Sequence, residues 1–278
     1  MPTGQVNFVV ALREEAKPVI EYFDMSPLDS YEGFSRFGNT QNGTGLILSG
    51  IGRKNAATAV SHQACETHYA AWINLGTVTH CSLPAGEPRI AHKIHCVSTR
   101  RSWYPPFIFE APCSTATVRT IDRIPKSFPT DDLYDTEASG FYAAATRFSP
   151  HELIHSFKVV NDNQVRPEGT PFPDTTSRLI KDTLETFNSL MESLQQLSAE
   201  LSQRRIDPVE LRELLHNLHF TTTQRRQLRR LLRRWSIICP QVKATDWVIS
   251  NGLTDANSVI TSITDHLESI PPTFELEP

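Results

Sequence analysis

The chain has 278 residues, 39% of them hydrophobic and 21% charged, with 27 Lys+Arg against 31 Asp+Glu and a net charge of −4. This apolar content suffices for a large core and excludes a coiled-coil rod, a collagen-like fibre and a wholly disordered chain. Mild acidity argues against a surface given over wholly to nucleic acid, but the charge is uneven: Gln203–Pro240 holds nine Arg against Asp207, Glu210 and Glu213, a net of +6 that leaves −10 on the rest.

No apolar run approaches the roughly 18–20 residues that span a bilayer. Met1–Asn7 has no basic region ahead of an apolar stretch, so no secretory signal is expected. The cysteines Cys65, Cys81, Cys96, Cys113 and Cys239 are scattered and form no CxxC pair, which suits reduced thiols. A soluble cytoplasmic protein is the expectation.

In chain order, Val6–Leu12 is an apolar run fit for a strand buried on both faces, and it passes directly into Arg13-Glu14-Glu15 and a helical pattern. Gly45–Ser49 is a second strand, ending in Gly50-Ile51-Gly52; Asn55–Tyr69 is Ala-rich and helical; Ala70–Leu75 is a third strand, ending at Gly76. Strand, helix and strand in this order predict a βαβ unit, and hence an α/β fold with a mixed, largely parallel sheet flanked by helices. Ile90–Ser98 and Thr115–Ile121 read as further strands around an aromatic, proline-rich loop with Trp103, Tyr104 and Phe107; Ile154–Val160 is the last strand. Leu179, Leu184, Phe187, Leu190, Leu194, Leu197 and Leu201 form an apolar stripe at helical spacing, with Asp174–Ser177 offering capping oxygens before it. After residue 202 the character changes. A short helix from Asp207-Pro208 to Leu218 is followed by one that begins near Thr221 and interleaves Arg225, Arg226, Arg229, Arg230, Arg233 and Arg234 with Leu228, Leu231, Leu232 and Trp235. Residues 1–202 are therefore expected to form one domain and 203–278 a helical Arg-rich extension. The arginines suit either solvated or paired head groups, or an anionic partner such as nucleic acid. Ala256–Leu267 is a further amphipathic stretch.

Ligands of open α/β sheets bind outside the carboxyl ends of the strands. Glu15, Glu137 and Asp162 fall at or near such ends, and Gly52 and Gly76 permit close backbone approach. The sets His92, His95 and Cys96, and His216 with His219, lack a four-ligand metal spacing. No Gly-x-x-x-x-Gly-Lys-Ser/Thr loop occurs, so neither a metal nor another cofactor is expected.

The ordered segments Ala11-Leu12-Arg13-Glu14-Glu15, Ser49-Gly50-Ile51-Gly52-Arg53, Asn74-Leu75-Gly76-Thr77-Val78-Thr79, Thr136-Glu137-Ala138 and Asn161-Asp162 resemble the pattern of the purine nucleoside phosphorylase and methylthioadenosine/S-adenosylhomocysteine nucleosidase superfamily, over roughly residues 5–202. The resemblance implies cleavage of the N-glycosidic bond of a purine nucleoside, with a 5′-modified adenosine as the candidate substrate. It implies that Glu15 activates the attacking water, Glu137 binds the ribose hydroxyls and Asp162 protonates the base. Gly52, Gly76, Thr77 and Thr136 would line the substrate, and family members form homo-oligomers. Asn74 stands where related phosphorylases carry Arg, which favours water over phosphate as nucleophile, while Arg53 and Lys54 keep phosphate conceivable. A nucleoside-binding protein without activity is the other alternative. Thr77-Val78-Thr79 replaces the family's Ser-Ala-Gly, and Thr136 its Met.

Overall fold

A computed structural model describes residues 4–31, 33–64, 70–122, 130–162, 175–203 and 209–270, with backbone alone at 29–31, 162, 203 and 209. The chain divides into two compact units, Met1–Arg204 and Arg205–Pro278.

The first unit begins with β1 (Val6–Val10), α1 (Arg13–Tyr22), β2 (Ser26–Tyr31), β3 (Phe34–Asn39), β4 (Thr44–Leu48), α2 (Arg53–Ala64) and β5 (Ala71–Thr79). It continues with β6 (Pro88–Cys96), β7 (Ser102–Trp103), β8 (Thr115–Thr120), β9 (Leu133–Asp135), α3 (Ala138–Ala145), β10 (Ile154–Asp162), α4 (Thr175–Asp182) and α5 (Leu184–Gln203). Among the described residues, ten strands join one mixed sheet, in the order β10-β6-β8-β9-β5-β1-β4-β3-β2 with β7 on β6. Because β10 also pairs with β5, strands β5, β9, β8, β6 and β10 close into a ring, from which β1, β4, β3 and β2 extend. The central strands β4, β1, β5 and β10 run parallel, so their carboxyl ends lie together.

Side-chain alternation sorts the core into two layers. Phe8, Val10, Ile73, Leu75, Phe157 and Val159 face α1, α4 and α5, joined there by Val19, Ile180, Phe187 and Leu190. Val9, Trp72, Val78, Ile154 and Val160 face α2 and α3. Every residue of β1 is buried, as its unbroken apolar run requires.

The structure adds to the sequence reading and departs from it: β7, β9, α3 and α8 were not among the expected elements. The strands β2 and β3 lack a regular apolar alternation and were not legible. The expected long helix is two, α4 and α5, because at Thr183 both the backbone N–H (3.1 Å) and the hydroxyl (2.9 Å) donate to the carbonyl of Ile180, which breaks the i→i−4 ladder. Of the loop aromatics, Phe107 packs on buried His155 (centroids 5.1 Å apart) and Trp103 lies by Tyr142 (6.4 Å), while Tyr104 remains exposed. The capping role expected of Asp174 lies outside the described residues.

The second unit has its own core. Helices α6 (Val209–Asn217), α7 (Thr222–Ile238), α8 (Ala244–Ser250) and α9 (Ala256–Ser269) enclose Leu214, Leu228, Leu231, Leu232, Trp235, Val248, Val259 and Ile263. α7 starts where the sequence places it, near Thr221, and the structure shows Thr221 as its cap, accepting the N–H of Gln224. Among the described residues no helix is long and apolar enough to cross a membrane.

A tight helix–helix approach in the first unit rests on Gly140. A Cβ there would lie 1.9 Å from the carbonyl oxygen of Arg53, so α2 and α3 meet backbone to backbone. Gly140→Ala should therefore force the two helices apart and cost about 1–3 kcal/mol, the usual range for overpacking. Chemical denaturation would measure it; unchanged stability would show that the contact is not needed.

Candidate active site

The site is assembled from turns at the carboxyl ends of the parallel strands. β1 delivers Glu15 in the first turn of α1, where it is 3% exposed. Its Oε1 accepts both the backbone N–H and the hydroxyl of Thr77, each at 2.7 Å, and its Oε2 accepts the N–H of Leu12 at 3.2 Å. Gly76 lies against this carboxylate: a Cβ there would stand 3.4 Å from Glu15 Oε1, in ordinary van der Waals contact. Thr77 is thus a ligand of the carboxylate rather than mere added bulk. Burial raises the pKa of Glu15 to about 7, Thr77 opposing the shift and the charge of Glu137 adding to it.

Glu137 stands at the start of α3, 8% exposed. Its Oε1 accepts the backbone N–H of Gly52 at 2.7 Å and the hydroxyl of Thr136. Gly52 has φ +105°, a conformation L side chains rarely adopt, and this aims its N–H at the carboxylate. Burial, and secondarily the charge of Asp135, raises the pKa of Glu137, while Lys158 opposes the rise.

Lys158 and Asp135 were not singled out from the sequence. Lys158 Nζ lies 2.9 Å from Asp135 Oδ2, with the two side chains 1% and 0% exposed. Asp135 also accepts the N–H of Ala138 (2.8 Å) and the hydroxyl of Thr120 (2.8 Å). Lys158 is paired in register with Gly76, and its charge acts on both Glu15 and Glu137. The signal was a lysine between Phe157 and Val159-Val160 in a predicted strand, a position that demands a partner if it is buried. Where Glu15 and Glu137 are ionised, they and Asp135 outnumber the one ammonium and make the cluster electronegative, an environment that favours positive charge developing on a ligand.

Asp162 ends β10, its backbone paired with Thr79, but its side chain lies outside the described residues. Asn74 is buried and donates to the carbonyl of Val9 at 3.2 Å. Arg53 turns to Asp122, with Nε 2.9 Å from Oδ1. The metal sets considered from sequence are separately engaged: His92 contacts Thr115 (3.0 Å), His95 contacts Ser102 (2.9 Å), and Cys96 lies 3.8 Å from Arg53. A different trio, His80, Cys81 and Asp131, does come together. However, His80 Nδ1 accepts the backbone N–H groups of Ser82 (3.1 Å) and Leu83 (3.0 Å), which puts the proton on Nε2, facing Asp131 at 3.2 Å. A protonated nitrogen is not a metal ligand, so this trio is a hydrogen-bonded turn.

No protein-family model and no curated protein sequence matches the chain. Solved structures do. The 5′-methylthioadenosine/S-adenosylhomocysteine nucleosidase of Helicobacter pylori aligns over 69% of this chain and 100% of its own, with a TM-score of 0.59 at 11% identity. The chain has the nucleosidase fold. The Neisseria meningitidis nucleosidase aligns with a TM-score of 0.56 at 19% identity, covering 67% of this chain and 99% of its own. The futalosine hydrolase of Helicobacter pylori does so with 0.56 at 11%, covering 68% and 98%.

Removing Lys158 should expose the cost of the buried pair. Lys158→Met leaves Asp135 without its cation and should destabilise the protein by about 3–5 kcal/mol, whereas adding Asp135→Asn should recover much of the loss. Denaturant titration of the three variants would check this, and equal stability of the single and double variants would refute it. Glu15 has a pH signature of its own. With its pKa raised in the folded state, its contribution to stability is full below the ordinary carboxylate range and is lost as pH rises through about 7. The difference in melting temperature between wild type and Glu15→Gln should therefore change across that window, in the direction of relative loss for wild type.

Proposed function

We propose that residues 1–202 form an N-ribosyl hydrolase that releases the base of a purine nucleoside, with a 5′-modified adenosine as the favoured substrate. The observation that carries this reading is the convergence of Glu15 and Glu137, both buried, on the strand ends around Gly76 and Gly52. Breaking the C1′–N9 bond sends its electron pair to the base and leaves positive charge on the sugar. The electronegative pocket stabilises that charge, while Glu15 orients a water and takes its proton as the new C1′–O bond forms. Glu137 anchors the sugar, and Asp162 supplies a proton to the departing base.

Water is favoured over phosphate because two of the nearby groups that could hold an anion are engaged, Asn74 with backbone and Arg53 with Asp122, which leaves Lys54 alone to attract one. An active rather than merely binding site is favoured because Thr77, the conspicuous departure in the third-strand motif, serves Glu15 with two hydrogen bonds. Incubation with adenosine, 5′-methylthioadenosine and inosine should release free base without phosphate. Glu15→Gln should lower kcat by about a hundredfold or more, within the usual range for loss of a general base. For wild type, kcat/KM should rise with pH to a plateau above about 7, where Glu15 is ionised. Strictly phosphate-dependent release would make the enzyme a phosphorylase. Nucleoside binding without release, unaffected by Glu15→Gln, would overturn catalysis.

For the helical extension, residues 203–278, a second reading rests on α7. Leu228, Leu231, Leu232 and Trp235 are buried in its unit's own core, while Arg226, Arg230 and Arg234 are exposed and make no ion pair with a described acidic residue. Spaced four residues apart, they form a row that suits the phosphates of nucleic acid. The full chain should bind a labelled DNA duplex with an affinity that falls steeply with salt. Replacing the three arginines by Ala should weaken binding and reduce the log–log salt slope by about 0.9 for each phosphate no longer neutralised. Salt-insensitive binding, or none, would reject this reading.

A further inference from the structure

The charges of the second unit are sorted by helix. α7 carries six arginines and no acidic residue, whereas residues 244–270, which include α8 and α9, carry Asp246, Asp255, Asp265 and Glu268 and no lysine or arginine. α7 turns Leu228, Leu231, Leu232 and Trp235 into the unit's core, and α9 turns Val259, Ile260, Ile263 and Leu267 into the same core. By helical periodicity Arg226, Arg230 and Arg234 then lie on the side of α7 away from the core, and Thr261, Asp265 and Glu268 on the side of α9 away from it. All six are exposed. Because the inner faces of α7 and α9 share one core, a chain's own arginine row cannot reach the outer side of its own α9.

That outer side is concave. With Trp247 of α8 it forms a groove of about 480 Å³, walled by Thr261, Ser262, Asp265 and His266 among others. The Trp247 ring stacks on His266, with centroids 4.0 Å apart, and its Nε1–H donates to Ser262 Oγ at 3.2 Å, so the indole is held in the wall. Asp265 makes no hydrogen bond or ion pair with a described residue. A fixed aromatic ring beside an open carboxylate suits a guanidinium, which stacks on the one and pairs with the other. Each surface also bears a bare isoleucine: Ile237, 79% exposed, lies on α7 three residues past Arg234, and Ile249, 75% exposed, lies on α8 two past Trp247.

We propose that the α8–α9 groove of one chain receives the arginine row of α7 from a second copy. The contact is heterologous, since each copy offers a row on one surface and a groove on another, and it can therefore repeat from copy to copy. This goes beyond the nucleic-acid reading of α7. Phosphates account for the row alone, whereas a second copy accounts for the row and the groove together, and the two occupants compete for the same arginines.

The test uses the full-length protein, treated with nuclease, with its mass followed by analytical ultracentrifugation over a concentration series. Wild type should gain mass with concentration, and raising salt from about 0.05 M to about 0.5 M should weaken the gain. One variant, Arg226→Glu/Arg230→Glu/Arg234→Glu, reverses the row; another, Asp246→Lys/Asp265→Lys/Glu268→Lys, reverses the groove side. Each alone should weaken association by about tenfold or more, the effect of setting like charges face to face. An equal mixture of the two should associate again, because the first keeps its groove and the second its row. Such recovery also separates a lost contact from a lost fold, since a misfolded variant could not restore it. A wild-type mass independent of concentration, a variant that associates like wild type, or a mixture no more associated than its parts would overturn the proposal. So would association that salt does not weaken, or association that nuclease abolishes, which would be bridging by nucleic acid.

Discussion

Lys158 brings an ammonium into the sheet interior, 1% exposed, where it pairs with Asp135 and acts electrostatically on Glu15 and Glu137. Without a partner, its burial would cost many kcal/mol; Asp135 supplies one at 2.9 Å and is itself held by the N–H of Ala138 and the hydroxyl of Thr120. The pair fastens the middle of β10 to the end of β9, immediately before the turn that presents Glu137. It also sets the electrostatics. One cation faces three buried carboxylates, enough to oppose the rise in pKa of Glu15 and Glu137 but not to cancel it. The pocket stays electronegative while the sheet around it stays closed.

Around this pair, the two functional carboxylates are treated alike by the fold. Each is almost wholly buried, and each has one oxygen saturated by a backbone N–H and a threonine hydroxyl. Saturation fixes orientation, because a carboxylate with two donors on one oxygen cannot rotate without losing both. Glycine takes part at Gly52, whose φ of +105° L side chains rarely adopt and whose N–H donates to Glu137. The chemistry inferred for the site, a water oriented at one carboxylate and a sugar at the other, follows from which lone pairs remain open.

Much of the fold was legible because its central strands are apolar on both faces, and such runs are conspicuous between a glycine turn and a helix. β1, β4, β5 and β10 were visible as short apolar-rich runs, and the helix around Leu228–Trp235, starting near Thr221, by its periodicity. β2 and β3 were not, since Ser26–Tyr31 and Phe34–Asn39 mix polar residues without alternation and are held by pairing to β4 rather than by their own pattern. The break at Thr183 was hidden for a related reason. The apolar stripe continues across it, and only the hydroxyl's competition for a carbonyl reveals it. Within the site, Glu15 and Glu137 were visible as acidic residues beside strand ends. Lys158 carried a signal, a charge within an apolar strand, whose meaning depended on a partner 23 residues away in the chain and adjacent in space.

The sequence by itself determined the order of elements, the strand ends on which chemistry could be built, and the concentration of arginine after residue 202. These are properties of local pattern: periodicity, glycine placement and charge count act over a few residues and need no knowledge of what packs against them. Only the tertiary structure decided how the acidic groups share their hydrogen bonds. That Thr77 serves Glu15 across 62 residues and that Gly52 serves Glu137 across 85 depend on close approach between distant segments. Hydrogen bonding is decided over about 3 Å, and no spacing along the chain encodes such a distance.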